Sequence, residues 1–97
     1  MSHNNQRYFD EWEIMREELL QLIRNKDPKK RELMRKGIHQ LMYILDETEE
    51  ATPLNYMERT TFIKSNIDKH VAFVQLDELF KETKKKLARI RAQSKSE

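Results

Sequence analysis

The chain contains a single glycine, Gly37, and two prolines, Pro28 and Pro53, in 97 residues. Tight turns and β-hairpins draw on Gly and Pro, so a sandwich or barrel of many short strands lacks the residues it needs. Val occurs only at 71 and 74, whereas Leu, Glu, Lys, Arg, Met and Gln, which favour helix, abound. The expected class is all-α. Leu, Ile, Val and Phe together number 23 of the 97 residues, above the share of about one-fifth at which chains remain disordered. The length suits one domain.

Apolar spacing places the helices. Positions 8, 12, 15, 19 and 22 form one stripe on a first helix over about 5–26, with Tyr8, Phe9, Trp12, Met15, Leu19, Leu20, Leu22 and Ile23 as its apolar residues. Asp10, Glu11, Glu13, Glu17 and Glu18 crowd its early turns and Arg24 and Lys26 close it, in accord with the helix dipole. Asp27-Pro28 then ends one helix and starts another, because Asp caps well and Pro suits the first helical position. The second helix runs over about 28–47, with Leu33, Met34, Gly37, Ile38, Leu41, Met42, Ile44 and Leu45 on its buried face. A glycine on that face reads as a point where a neighbouring helix comes close.

The acidic stretch from Asp46 to Glu50, followed by Pro53, is the loop-like segment. Asn55 and Glu58 have capping-box spacing, so a third helix starts near 55 and carries Tyr56, Phe62, Ile63 and Ile67. Beyond it two stripes differ in phase: 63, 67, 70, 74 and 73, 76, 80, 83, 87, 90. One helix from 55 to 92 would be about 57 Å long, roughly twice its partners. A break between Ser65 and His70, with Ser65, Asn66 or Asp68 capping a fourth helix, resolves both difficulties. The expectation is one domain over 1–97, an antiparallel up-and-down four-helix bundle with helices at about 5–26, 28–47, 55–66 and 69–93, and frayed residues at 1–4 and 94–97. The alternative is three helices with a long third one, completed by dimerisation.

The net charge of +2 conceals segregation: residues 1–50 hold 9 basic and 11 acidic groups, and residues 51–97 hold 10 and 6. The basic run Lys81, Lys84, Lys85, Lys86, Arg89, Arg91 and Lys95 would share a pole with the acidic start of the first helix and be neutralised there. Arg24, Lys26, Lys29, Lys30, Arg31, Arg35 and Lys36 surround the first helix–helix turn, with Lys64 and Lys69 expected nearby. They form a candidate anion or nucleic-acid surface. Aromatic interleaving and a helix-turn-helix signature are both missing, so that reading rests on charge.

Patterns for chemistry are weak. With no Cys, thiolate chemistry and Cys-based zinc sites are excluded. Lys36 and Ile67, not Glu, precede His39 and His70 by three, and no His-x-x-x-His pair occurs. Ser65, Asp68 and His70 cannot share one helix face, and read as boundary residues. His39 and Tyr43 read as a hydrogen-bonded pair, Met15, Met34, Met42 and Met57 as core filler, and Glu78 and Glu82 as solvent-facing. The expectation is a protein without enzymatic activity, metal or cofactor. The longest apolar runs are far shorter than the roughly 18 residues of a membrane span, and the polar start offers no signal peptide, so a cytoplasmic setting is expected.

The stretch Pro53-Leu54-Asn55-Tyr56-Met57-Glu58-Arg59, with Phe62-Ile63, Phe73-Val74-Gln75-Leu76 and Leu79-Phe80 after it, resembles the YpoC-like family. These are small proteins of Gram-positive bacteria of the Bacillus and Staphylococcus group. The resemblance implies a bacterial cytoplasmic setting and supplies no catalytic or binding residues to transfer. It directs attention to Asn55, Glu58 and Arg59, either as partner anchors or as structural groups: a capping box for the first two, and for Arg59 a bridge to an acid on another helix. The leading functional expectation is a protein-interaction or adaptor bundle that binds a protein partner or itself as a homodimer. A nucleic-acid-associated accessory role using the basic turn is the alternative.

Overall fold

The computed structural model describes residues 6–96. Four helices follow one another: α1 (Gln6–Arg24), α2 (Lys30–Glu47), α3 (Tyr56–Ser65) and α4 (His70–Ser96), with one 3-10 turn at Glu49–Ala51 before α3. No strand occurs among the described residues. The break between the last two helices falls where the two stripes lost phase, so the long-third-helix alternative does not hold. The fraying expected at 1–4 lies outside the described residues, while α4 runs past its expected end at 93 to Ser96.

Neighbouring helices run antiparallel. Tyr8 stacks on Tyr43 with ring centroids 6.4 Å apart, and Gln40 donates to the Glu11 carboxylate, so α1 and α2 pair in opposite directions. Phe9 meets Phe80 edge to face at 6.3 Å, while Trp12 reaches Phe73, which sets α4 antiparallel to α1. The expected bundle is present. It is flat, measuring 49 × 25 × 16 Å, because α2 and α4 also touch across the diagonal.

Gly37 permits that diagonal contact. A Cβ built there would lie 2.7 Å from Cζ3 of Trp12 and 3.1 Å from Cδ2 of Leu76. The indole has nowhere to retreat. It is 1% exposed, stacks on Phe80 at 4.3 Å and 7°, and donates from Nε1 to Asp77 Oδ1 at 3.2 Å. Asp77 is itself buried, and a buried carboxylate is tolerable only when paired. Arg16 Nε lies 3.1 Å from its Oδ2, and Lys81 approaches the same oxygen at 3.4 Å.

The α4 stripe read from the sequence is buried from Phe73 through Leu76, Phe80 and Thr83 to Leu87, with Ile90 partly covered. Thr83 fits this apolar row by donating its hydroxyl to the Leu79 carbonyl at 2.8 Å. On α2 the expected face is buried except Met42, which is exposed, and Leu33, which is partly covered. Met57 and Phe62 are exposed as well. Of the four Met residues expected as filler, Met34 is buried and Met15 partly so, but Met42 and Met57 face solvent. Helix α3 supplies the cause: it is only ten residues long and buries just Thr60 and Ile63.

The turns use local chemistry. α1 ends in a Schellman arrangement, with the Asp27 amide bonded to the Leu22 carbonyl at 2.9 Å and Lys26 to Ile23 at 3.1 Å. This requires a left-handed residue, and Lys26 takes that role at φ 54. α2 starts at Lys30, two residues later than expected, with Lys29 as N-cap and no side-chain cap; Asp27 instead holds the turn before it, its Oδ1 accepting from the Lys29 amide at 3.0 Å. The capping box at α3 is not formed. Asn55 is left-handed at φ 58 and makes no side-chain cap; Arg59 instead donates to the Leu54 carbonyl at 3.1 Å. At the other end of α3, Asn66 donates from Nδ2 to the Phe62 carbonyl at 2.8 Å. Asn66 thus closes α3 with its side chain, and Asp68 turns away to Arg31.

Arg59 clasps α3 to α4. Its Nη1 and Nη2 donate to the two oxygens of Glu82 at 2.8 and 2.6 Å, and its Nε donates to Gln75 Oε1 at 2.7 Å. The expected bridge to another helix is therefore present, and Glu82 is bound rather than solvent-facing. The Arg59 hydrogen bonds hold the Glu82 carboxyl below the usual glutamate range, against the opposing effect of partial burial.

Three outcomes follow for stability, each readable by the fluorescence of the single buried Trp. In Gly37→Ala, overpacking costs about 1–3 kcal/mol and the better helix former returns about 1. The net loss is roughly 1 kcal/mol with a perturbed Trp12 emission; unchanged stability would show that the indole has room. Lys26→Gly relieves a left-handed lysine and stabilises by about 1 kcal/mol. For Glu82, the folded state depresses the carboxyl, so its contribution is complete above the ordinary glutamate range and fades as pH falls below about 4. The stability gap between the parent and Glu82→Gln should narrow over that acid window in pH-dependent urea unfolding.

Candidate functional site

Helical twist divides the basic residues around the first turn. Arg24, Lys26 and Lys29 are exposed and Lys30 is partly covered. Arg31 donates to Asp68 from the α3–α4 turn. That hydrogen bond raises the Arg31 pKa above its ordinary value and lowers that of Asp68. A compensating acid thus comes from a turn distant in sequence. Arg35 and Lys36 are adjacent in the chain but line different cavities. The two cavities meet at His39.

The first cavity lies between α2 and α3, where Arg35, Ile38 and His39 face Lys64 and Ile67 around about 300 Å³. Ile38 is buried and Ile67 partly buried, so the floor is apolar and the walls cationic. The second is a shallow groove of about 500 Å³ between α1 and α2, lined by Ile14, Met15, Leu33 and Tyr43, with Glu18 and Lys36 on its margins. Ile14 is 71% exposed and Tyr43 58%. A second set of exposed apolar residues, Leu54, Met57, Phe62, Val71 and Val74, belongs to α3, the turn before it, and the first turns of α4.

Asn55 and Glu58 are exposed. Arg59 spends its guanidinium on Glu82, Gln75 and the Leu54 carbonyl, so these three residues do not converge on one site. Ser65, Asp68 and His70 also go separate ways: Asp68 pairs with Arg31, and His70 packs on Phe73 at 5.9 Å. The expected His39–Tyr43 hydrogen bond is replaced by the stacking of Tyr43 on Tyr8. His3 lies outside the described residues. Among the described residues no group of three or more His, Asp or Glu could hold a metal ion.

At the other pole, among the described residues, no ion pair joins the basic run to α1, where neutralisation was expected. The helices do neighbour each other, but Lys84 sits over the Phe9 ring at 6.0 Å. Lys86 donates to the Thr52 carbonyl at 3.0 Å, and Arg89 shares a small depression with Glu50. Lys81 finds its acids on its own helix, Asp77 at 3.4 Å and Glu78 at 3.8 Å.

Sequence reasoning missed Asp77, whose carboxylate joins Trp12, Arg16 and Lys81. Its position four residues after Phe73 and three before Phe80 puts it on the buried stripe, a signal that was available. It also missed the exposure of Ile14, which falls off the 8, 12, 15, 19 row and so faces outward.

No helix is long and apolar enough to cross a membrane among the described residues. No curated protein and no solved structure matches the chain. A family model described as YpoC-like protein matches residues 2–95, which extends the resemblance seen in the C-terminal half over almost the entire sequence. The chain belongs to the YpoC-like family.

Proposed function

We propose that this chain is a non-enzymatic protein-interaction adaptor whose α1–α2 groove receives an amphipathic helix of a partner protein. The supporting observation is the placement of Ile14 and Tyr43, largely exposed on facing helices of one groove. Exposed apolar residues scattered singly are ordinary, whereas a contiguous set in a groove marks an interaction surface. Helix-in-groove recognition uses apolar anchors at i, i+3 or i+4 and i+7, and Met15 and Leu33 supply the deformable and branched surfaces that receive them. Glu18 on one margin and Lys36 on the other give the groove a polarity that orients the incoming helix.

The rival reading, a nucleic-acid-associated accessory protein, has less support. Arg31 is committed to Asp68, Arg35 and Lys36 diverge, and what remains at the turn is a sparse set of lysines with Arg24.

The test is affinity purification of tagged protein from its native cells, comparing the parent with Ile14→Glu and with Val71→Glu, an exposed α4 control. All three fold, because substitutions at such exposed positions change stability by about 0.5 kcal/mol or less. The expected result is a stoichiometric partner retained by the parent and the control, and weakened more than about tenfold by Ile14→Glu. Equal retention by all three removes the groove from the interface. A homodimer in light scattering that Ile14→Glu dissociates would assign the groove to a second copy instead.

A further inference from the structure

On the side of α2 facing α3, sharing only His39 with the proposed helix groove, the structure offers a differently built pocket. We propose that the cavity bounded by Arg35, His39 and Lys64 over Ile38 and Ile67 binds a small phosphomonoester, with the phosphate between Arg35 and Lys64 and its organic group on the two isoleucines. Charge matching supports the phosphate. Asp68, on whose carboxylate Arg35 also acts, is hydrogen-bonded to Arg31, so those two charges offset each other. Arg35 and Lys64 then leave two positive charges on separate helices, without a hydrogen-bonding or ion-pair partner among the described residues. A phosphomonoester carries about −1.5 to −2 at neutral pH, which matches both. Its three oxygens accept from the planar Arg fork and the mobile Lys ammonium together.

The floor supports the organic group. Ile38 comes from the buried face of α2, and Ile67 from the turn after α3, so their apolar surface reaches the cavity from two elements. A volume of about 300 Å³ lies at the small end of ligand sites and suits one ring or a short chain, not a nucleotide triphosphate. His39 adds an imidazole at the rim able to donate or accept to an ester oxygen.

Heteronuclear NMR titration at low salt tests the proposal, with phenyl phosphate and inorganic phosphate as probes. The expected result is saturable shifts confined to amides near 35–39 and 64–67, with phenyl phosphate bound about tenfold more tightly than phosphate. The double variant Arg35→Gln/Lys64→Gln should weaken phenyl phosphate at least about tenfold. Lys84→Gln/Lys85→Gln, which removes the same charge from α4, should stay within about twofold. Equal losses in both double variants, shifts spread over all basic segments, or equal affinity for the two probes would each overturn the proposal. A peptide carrying phosphotyrosine presents the same group, and is expected to bind no more tightly than phenyl phosphate. Tighter peptide binding would replace a small ester with a phosphorylated protein as the occupant.

Discussion

The fold depends on one indole lying where three helices meet. Trp12 leaves α1, rests against the bare Cα of Gly37 on α2, and stacks on Phe80 of α4. Its N–H reaches Asp77, which gathers Arg16 and Lys81 around it. Each partner is needed by another. The ring plane is fixed by Phe80, its rotation by Asp77, and its depth by the lack of a side chain at 37. A polar group this far inside would be costly alone, but a donor matched to a carboxylate that is matched to two cations leaves nothing unsatisfied. Apolar area drives association of the helices, and this junction sets which register they adopt.

Charge works differently at the periphery. Three arginines each tie one element to another: Arg16 joins α1 to α4, Arg31 joins α2 to the α3–α4 turn, and Arg59 joins α3 to α4. The planar fork suits a carboxylate better than a lysine ammonium does, and these three links between elements all fall to arginine. α3 needs its clasp most, since it buries so little apolar surface of its own.

Much of this was legible in the sequence, and the exceptions have physical causes. Helix number, the break before His70, the α4 stripe and the close approach at Gly37 all follow from period and composition, because burial selects one face and repeats it. The family was legible too, from its C-terminal half. Asn55 misled because capping-box spacing constrains residue types and not the backbone angle, and a left-handed Asn aims its side chain elsewhere. Of the two readings open for Arg59, the bridge is the one formed, because α3 buries too little apolar surface to hold its place without a clasp. Pairings between distant segments, such as Arg31 with Asp68 or Lys86 with Thr52, were beyond reach, since no local periodicity encodes them. Lys64 does come near Arg35, as the shared basic pole implied, but the cavity they enclose over Ile38 and Ile67 was not legible, since it depends on how far α3 extends.

α4 touches α1, α2, α3 and the 3-10 turn alike, and it is the last of these elements in the chain. A nascent polypeptide therefore presents the α1–α2 hairpin first, with the Trp12 and Gly37 face uncovered and Arg16 lacking its carboxylate. The α1–α2 pairing is the most extensive in the molecule and needs nothing made after Glu47. What the last helix adds is the lid on that hairpin: the core is closed only once α4 has been made, since a domain folds as a unit.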